Sequence, residues 1–255
     1  MINSISSASE YRPKNFNDMI GQDAIVKTLN NAIKNDNIPQ ALLFCGPRGV
    51  GKTSCARILA KTINDLEDDF EFNIFELDAA SNNSVEDIRN ITDQIRIPPQ
   101  TGRYKVYIID EVHMLSNQAF NAFLKSLEEP PEHVVFILAT TEKNKILPTI
   151  LSRCQIYDFK KVDNESIIKL LSKICNDKKV KYEDGCLSLI AERSDGSIRD
   201  SLSIFDRLVS FTDSNLTVNE VTSNLNVLDF NTYFKISEFI NKKDIPGILN
   251  LYNEL

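Results

Sequence analysis

The sequence predicts an α/β fold in which a parallel, doubly wound sheet is followed by a smaller helical region. Two observations support this prediction. As far as residue 161, apolar runs of strand length alternate with segments whose apolar residues recur at helical spacing, which is the pattern of successive strand and helix units. From Asp163 onward the apolar residues keep helical spacing only, so we expect short helices without strands there.

Length, composition and charge limit the possible classes of protein. The 255 residues can form one large domain and a smaller one, and the shares of hydrophobic and charged residues, 42% and 25%, are those of a soluble globular chain. The formal net charge of −7 argues against a free-standing protein that binds nucleic acid through electrostatics. A local basic patch is compatible with this charge, so DNA is not excluded as a partner.

The cysteines and the termini bear on compartment. The five cysteines are widely spaced and include no C-x-x-C pair, so we expect reduced thiols in a cytoplasmic protein. No apolar run reaches transmembrane length, and residues 1–9 are polar and lack the parts of a signal peptide. We therefore expect a flexible tail over residues 1–9 and no association with a membrane.

A glycine-rich loop follows the first strand-length run, residues 41–45, and leads into a helical pattern over residues 54–64. The loop residues are Gly46, Pro47, Arg48, Gly49, Val50, Gly51, Lys52 and Thr53, with Ser54 after them. The glycines allow backbone N–H groups to turn toward a polyphosphate, and the helix N-terminus adds positive potential. Lys52 is placed to reach the β/γ-phosphates and Thr53 to hold Mg²⁺. The alternative, a glycine turn with a chance lysine, does not explain why every fixed position and both flanks fit.

The segment before the first strand admits two interpretations. Tyr11, Arg12 and Pro13 precede an amphipathic helical pattern that Pro39 ends. In a nucleotide-binding domain such a segment lies beside the base, whereas the alternative is ordinary N-terminal packing. Spacing alone does not decide between them.

Polar side chains are expected at the ends of two later strands. The apolar run over residues 105–109 ends in Asp110 and Glu111, which suit a water-mediated Mg²⁺ ligand and a group that polarises the attacking water. The next strand delivers Thr140 and Thr141 to the same edge of the sheet, where a hydroxyl can sense the γ-phosphate or position water. A solvated acidic strand end is the alternative, and the preceding glycine-rich loop makes it the weaker one.

One arginine in the helical region is a candidate phosphate ligand. Arg199 lies in the first turn of a predicted helix, where the helix dipole alone favours an acidic residue. An arginine there is explained if it binds phosphate. The alternative is a surface arginine paired with Asp195 or Asp200.

Several segments of the chain occur together in one order. They are residues 11–13, residues 21–22, the glycine-rich loop, Glu76-Leu77-Asp78-Ala79-Ala80-Ser81, Ile109-Asp110-Glu111-Val112-His113-Met114-Leu115, residues 138–141, Ser152-Arg153-Cys154 and Gly196-Ser197-Ile198-Arg199-Asp200. In this order they resemble the gamma/tau subunits of the bacterial DNA polymerase III clamp loader, which are AAA+ ATPases. The resemblance covers residues 10–225 closely and the remainder weakly.

The resemblance implies a role for each matching residue. Lys52 and Thr53 resemble the Walker A pair of a P-loop NTPase, and Asp110 and Glu111 resemble the Walker B pair. Thr141 stands at the sensor-1 position and Arg199 at the sensor-2 position. Arg153, in the Ser-Arg-Cys motif, resembles an arginine finger that acts in trans on the ATP site of a neighbouring subunit. The implied ligands are ATP and Mg²⁺, bound by these residues and by the segment that begins with Tyr11.

The resemblance also implies a domain division and a set of partners. We expect an AAA+ nucleotide-binding domain over residues 10–161, a helical lid over residues 162–226 and the truncated beginning of a helical collar, or oligomerisation domain, over residues 227–255. The implied partners are other clamp-loader subunits in a hetero-oligomeric ring, the sliding clamp and primer-template DNA. The candidate DNA-contacting surface is the polar loop from Ser81 to Ser84, which opens the helix that carries Arg89.

The chain departs from the family at one place. Gamma/tau subunits commonly carry a four-cysteine zinc module after the P-loop helix, and residues 64–75 here contain no cysteine. We therefore expect no structural zinc.

Three alternatives to a clamp-loader motor remain open from the sequence. A non-hydrolysing scaffold like the delta-prime subunit shares the Ser-Arg-Cys motif but has no chemical need for Lys52, Asp110 and Glu111. An archaeal or eukaryotic replication factor small subunit is disfavoured because residues 78–81 and 112–115 look more bacterial. An unrelated P-loop kinase is disfavoured by the trailing lid helices.

Overall fold

The computed structural model describes residues 6–65, 73–99, 102–212, 214–225 and 230–254. Its main sheet consists of β1 (Ala41–Cys45), β2 (Ile74–Asp78), β3 (Lys105–Asp110), β4 (Val134–Thr140) and β5 (Gln155–Asp158). These strands are parallel and lie in the order β2-β3-β4-β1-β5. The predicted parallel, doubly wound sheet is confirmed.

Helices cover both faces of this sheet. The helices of this part of the chain are α1 (Ser7–Glu10), α2 (Asp23–Lys34), α3 (Lys52–Thr62), α4 (Val85–Ile95), α5 (Asn117–Glu128) and α6 (Pro148–Leu151), and 3₁₀ turns span Phe16–Asp18, Val112–Met114 and Lys143–Lys145. In β1, Leu42 and Phe44 join the core on one face, and Leu43 joins the core on the other. Every residue of β1 and β4 is buried, because a parallel sheet covered on both sides needs apolar residues at successive positions.

The helical region after residue 161 has its own core. It contains α7 (Asn164–Lys178), β6 (Lys181–Tyr182), α8 (Cys186–Arg193), α9 (Ile198–Phe211), β7 (Asn215–Leu216) and α10 (Val218–Asn224). The expectation of a region without strands is wrong at one place, since β6 and β7 pair in parallel. Two residues are too few to show the alternation by which a strand is recognised in a sequence.

The N-terminal segment packs on this helical region. The prediction of a flexible tail over residues 1–9 is wrong for residues 7–9, which form part of α1. Ser7 is buried, and its backbone N–H donates to Asp206 Oδ2 at 2.7 Å while its hydroxyl donates to Asp206 Oδ1. Lys178 Nζ donates to Ser7 Oγ at 2.7 Å and lies 2.9 Å from Glu10 Oε2. These polar contacts order the segment together with Ala8 and Tyr11, which pack on the apolar core of the helical region.

Two further helices follow, α11 (Phe230–Lys242) and α12 (Ile245–Glu254). Large apolar side chains on them are exposed: Phe234, Ile240, Ile245, Leu249 and Tyr252. Pro246 stands in the first turn of α12, where a helix tolerates proline because the backbone N–H there has no intrahelical partner. A separate collar domain remains a prediction, and the expected boundary at residues 226–227 lies outside the described residues. In the part of the chain described here, no helix combines the length and apolar character needed to cross a membrane.

Candidate nucleotide-binding site

The glycine-rich loop joins β1 to α3, which begins at Lys52, earlier than the sequence suggests. Gly46 and Gly49 have φ angles of +148° and +73°, a region that favours glycine. A Cβ on Gly46 would lie 2.4 Å from the carbonyl oxygen of Phe159, and one on Gly49 would lie 2.1 Å from Ser197 Oγ. The loop is therefore packed closely against the end of β5 and against the first residues of α9.

Lys52 is held beneath the loop. The side chain is buried, and Nζ donates to the carbonyl oxygens of Gly46 and Pro47 at 2.8 and 2.7 Å. Burial lowers the pKa of Lys52, and the carboxylates of Glu111 and Asp110 act in the opposite direction. The structure thus places a buried amine beside two carboxylates at the foot of the loop.

Thr53 and Asp110 meet although 57 positions separate them in the sequence. Thr53 Oγ1 donates to Asp110 Oδ2 at 2.6 Å, because α3 starts at the edge of the sheet where β3 ends. A hydroxyl and a carboxylate are the hard oxygen ligands that Mg²⁺ prefers. The two side chains therefore fit the predicted metal role.

Glu111 follows β3 in an uncommon backbone conformation. Its φ and ψ are +47° and +43°, the left-handed region, which costs a residue with a Cβ about 1–2 kcal/mol. Thr141 Oγ1 donates to Glu111 Oε2 at 3.1 Å. The parallel register explains this meeting, since β3 and β4 are neighbours whose carboxyl ends reach the same edge. The two predicted residues are therefore in direct contact at this edge of the sheet.

A cavity of about 920 Å³ lies between the loop, the sheet edge and the helical region. Most of the predicted site residues line it: Tyr11, Arg12, Pro13, Arg48, Gly49, Val50, Gly51, Lys52, Thr53, Ser54, Asp110, Glu111, Thr141 and Arg199. Gly46 and Pro47 contribute through the carbonyl groups that accept from Lys52. A larger groove of about 1320 Å³ lies on the other side of Arg12, but Lys52, Asp110 and Glu111 do not line it. The smaller cavity is therefore the candidate site.

Two arginines tie other segments to this cavity. Arg12 Nε donates to Ser54 Oγ at 3.2 Å, so the N-terminal segment lies at the site and is more than distant packing. The backbone N–H of Arg199 donates to the carbonyl of Gly49 at 3.3 Å. Asp195, one of the expected partners of Arg199, pairs with Lys161 instead.

An apolar end of the cavity was missed from the sequence. Met19, Ile20, Ile198 and Leu202 line it together with Val50. Met19 and Ile20, the apolar pair before Gly21, were the available signal, but such a pair equally indicates the start of a packed helix. These residues give part of the cavity an apolar surface that is suited to an aromatic ring.

Models of two protein families match the chain. Residues 21–163 match a family described as "DNA polymerase III, delta subunit", and residues 166–214 match a family described as "DNA polymerase III clamp loader subunit, ATPase lid domain". Over 96% of its length, the chain is 42% identical to DNA polymerase III subunit tau of Bacillus subtilis. It is 39% identical to DNA polymerase III subunit gamma of a Buchnera aphidicola strain, over 95% of the chain and 70% of the relative.

This chain belongs to the gamma/tau family of DNA polymerase III clamp-loader subunits. Tau of Escherichia coli is 39% identical over 97% of the chain. The gamma/tau chain described here spans less than half of the tau relatives, 46% of the Bacillus subtilis protein and 41% of the Escherichia coli protein.

Solved structures confirm the fold of this gamma/tau chain. The Thermotoga maritima RuvB Holliday junction branch migration motor superposes with a TM-score of 0.67 over 90% of the chain and 79% of its own length, at 21% identity. At that identity the likeness concerns the fold alone. The AAA+ architecture with a helical lid, predicted from the sequence, is confirmed.

Arg153 lies outside the cavity of its own gamma/tau chain. It follows α6, and Nη2 donates to Glu128 Oε1 at 2.8 Å while Nη1 donates to the carbonyl of Thr149 at 2.7 Å. The side chain is 35% exposed. Glu128, at the end of α5, was missed from the sequence because nothing in the spacing relates it to Arg153.

The expected absence of zinc remains a prediction. The stretch where the family carries its zinc module includes residues 66–72, which lie outside the described residues. Within the described ranges, no three His, Cys, Asp or Glu side chains are grouped as a metal site requires.

Proposed function

We propose that this chain is the ATP-hydrolysing motor of a bacterial clamp loader, in which ATP binding and hydrolysis drive the loading of a sliding clamp onto primer-template DNA. The observation that supports it best is the convergence of Lys52, the Thr53–Asp110 pair and the Glu111–Thr141 pair on one cavity. A subunit that only held a ring together would have no chemical use for all of these groups.

Each group has a distinct task in this proposal. The loop N–H groups and Lys52 bind the phosphates, and the apolar end formed by Met19 and Ile20 receives the base. Glu111 polarises the attacking water, and Thr141 orients Glu111 and senses the γ-phosphate. Thr53 and Asp110 hold Mg²⁺, which when bound neutralises charge on the β- and γ-phosphates.

The lid supplies the remaining cation of the same chain. Arg199 lies where α9 touches Gly49, and it lines the cavity. A phosphate bound in the loop would therefore lie close to Arg199. We propose that Arg199 binds the γ-phosphate as a sensor-2 arginine. Because α9 moves with the lid, the state of the nucleotide then sets the position of the lid.

Arg153 is proposed to act on the neighbouring subunit. It does not line its own cavity, and its partly exposed side chain follows the end of α6. An arginine supplied across a subunit boundary makes hydrolysis depend on ring closure, and such residues accelerate phosphoryl transfer by about 10³–10⁵-fold. This assignment predicts that a subunit binds ATP without its neighbour but needs the neighbour's arginine to hydrolyse it.

Contact with DNA is proposed through the N-terminal end of α4. Ser84 caps this helix by accepting from the backbone N–H of Asp87, and Arg89 is exposed nearby. Glu86 and Asp87 stand in the first turn, so attraction to a phosphate depends on Arg89. We expect Arg89→Ala to reduce DNA-stimulated ATP turnover of the assembled ring, and unchanged stimulation would remove this surface from the proposal.

The decisive experiment is complementation between two defective variants. Glu111→Gln keeps Arg153 but has an impaired site, whereas Arg153→Ala keeps the site but lacks the arginine. Each variant is expected to bind ATP with wild-type affinity and to turn it over slowly, and a mixture is expected to recover turnover as concentration rises.

Controls for this experiment separate the trans role of Arg153 from the ATP-hydrolysing function itself. Arg103→Ala removes an exposed arginine that pairs with Asp36 and does not line the cavity. This variant is expected to bind and hydrolyse ATP as wild type does. If Arg153→Ala hydrolyses ATP as fast as wild type at every dilution, the trans assignment is wrong. If wild-type chain binds ATP but does not hydrolyse it even in the assembled ring, the scaffold alternative is correct.

A further inference from the structure

His113 lies between two carboxylates, one inside the nucleotide site and one at the surface. It belongs to the 3₁₀ turn Val112–Met114 that follows Glu111, and its side chain is only 6% exposed. Nδ1 of the ring is 3.5 Å from Glu111 Oε2, and Nε2 is 3.4 Å from Glu142 Oε1. The imidazole therefore faces an acidic oxygen at each of its nitrogen atoms.

A third contact fixes the plane of the ring. Thr140 Oγ1, at the buried end of β4, is 3.0 Å from His113 Nδ1. The same hydroxyl oxygen accepts the backbone N–H of Glu142 at 3.0 Å, so the threonine is itself held in place. The outer carboxylate is also anchored, because Lys145 Nζ donates to Glu142 Oε1 at 2.8 Å and this contact lowers the pKa of Glu142.

The hydrogen on the imidazole decides which carboxylate the ring attracts. A hydroxyl both donates and accepts, so Thr140 pairs with Nδ1 whether or not Nδ1 carries hydrogen. A ring nitrogen attracts a carboxylate only when it carries hydrogen, because a nitrogen lone pair and a carboxylate oxygen repel each other. His113 therefore supports Glu111 in the form in which Nδ1 carries hydrogen.

Glu111 needs such a support because little else determines its orientation. Its side chain is 31% exposed and extends from a backbone in the left-handed region. In the part of the chain that the structure describes, Thr141 and His113 both contact Glu111 at Oε2. Because both contacts fall on one oxygen, the other oxygen, Oε1, is the one assigned to the attacking water in the proposed mechanism.

We propose that His113 is a positioning residue for ATP hydrolysis, which together with Thr141 fixes the Glu111 carboxylate and is itself braced by Thr140 and Glu142. The inference rests on the proposed function, in which Glu111 polarises the attacking water. His113 touches neither the water nor the phosphates in this role, so it governs the rate of the chemical step and not the affinity for ATP.

The test separates turnover number from affinity in the assembled clamp loader. His113→Leu keeps an apolar volume and removes both ring nitrogens, and we expect kcat to fall about 10-fold, since a small misplacement of a reacting group costs up to about 100-fold. The Kd for ATP is expected to stay within about twofold of wild type, because the phosphate-binding groups are untouched. His113→Asn places an amide near the position of Nδ1 and is expected to recover most of the loss.

Matched variants decide between positioning and folding effects. His133→Leu makes the same change at the other histidine, which contacts the carbonyl of Ile95, and is expected to leave kcat unchanged. Glu142→Gln removes the outer charge at constant volume and is expected to lower kcat a few-fold. If His113→Leu does not fold, Glu142→Gln decides, and a wild-type kcat in that variant overturns the proposal.

Failure of this inference is distinguishable from failure of the proposed function. Glu111→Gln is measured in the same series and is expected to lose turnover by more than about 100-fold. If Glu111→Gln is inactive and His113→Leu is fully active, the role of His113 is refuted while the motor function stands. If Glu111→Gln turns over ATP as wild type does, the role of Glu111 itself is wrong.

Discussion

Replacing Gly49 by alanine tests whether the lid docks on the nucleotide loop in solution. Gly49 has a φ of +73°, and a Cβ there would lie 2.1 Å from Ser197 Oγ and 3.1 Å from Arg199 Cβ. The left-handed backbone costs alanine about 1–2 kcal/mol, and overpacking at such a contact costs about 1–3 kcal/mol. We therefore expect Gly49→Ala to lose about 2–5 kcal/mol in the docked state, either as free energy of unfolding or as separation of the lid from the loop.

Gly185 offers a matched control for this substitution. Its φ is +94°, but an added Cβ would meet no atom within 4 Å. Gly185→Ala therefore carries the backbone cost alone, about 1–2 kcal/mol. The difference in free energy of unfolding between the two variants isolates the cost of the clash with Ser197, since the left-handed conformation is common to both.

The assays are urea denaturation and titration with ATP. Gly49→Ala is expected to bind ATP at least about tenfold more weakly than Gly185→Ala, because about 1.4 kcal/mol of lost docking already corresponds to a factor of ten. Ser197→Ala in the Gly49→Ala background removes Oγ and should restore part of the difference. The reasoning is refuted if Gly49→Ala and Gly185→Ala have equal stability and equal affinity for ATP.

Two further predictions concern stability. Burial raises the pKa of Cys55 to about 12 from its ordinary value of 9.0. The neutral thiol therefore contributes fully to the free energy of unfolding below pH 9, and this contribution is lost as pH rises above 9, at up to about 1.4 kcal/mol per pH unit. Urea midpoints of Cys55→Ala should therefore fall less steeply above pH 9 than those of wild type, and parallel slopes would contradict this. Asp206→Ala leaves the backbone N–H of buried Ser7 without its acceptor and should cost about 1–3 kcal/mol in thermal or urea unfolding, whereas the exposed Asp184→Ala should cost little; equal effects would show that α1 is not docked.

The strands and the position of the glycine-rich loop were predictable because their signals are local. β1 and β4 are buried at every position, so each appears in the sequence as one continuous apolar run. The glycine-rich loop is contiguous, and its chemistry follows from residue types at fixed spacing. Asp110 and Thr141 follow from topology, because the carboxyl ends of parallel strands share one edge.

Contacts between polar residues far apart in the chain were not predictable. Ser7 and Asp206 are 199 positions apart, and Arg153 and Glu128 are 25 apart; neither pair leaves a periodic pattern. Side-chain hydrogen bonds carry no repeat from which their partners can be inferred. The flexible-tail prediction failed for this reason, since α1 is ordered by such contacts.

The contact between loop and lid includes a backbone hydrogen bond, and this has a mechanical consequence. The carbonyl of Gly49 accepts the N–H of Arg199, and Val162 N–H donates to the carbonyl of Gly196 where the sheet domain passes into the lid. A Cβ on Gly196 would lie 2.6 Å from Lys161 Cβ, so these two chain segments are also closely packed. Side chains change rotamer at little cost, whereas a backbone contact cannot be adjusted without moving the element that carries it. Under the proposed function, a shift of the loop on phosphate binding is therefore expected to move the start of α9, and with it the lid.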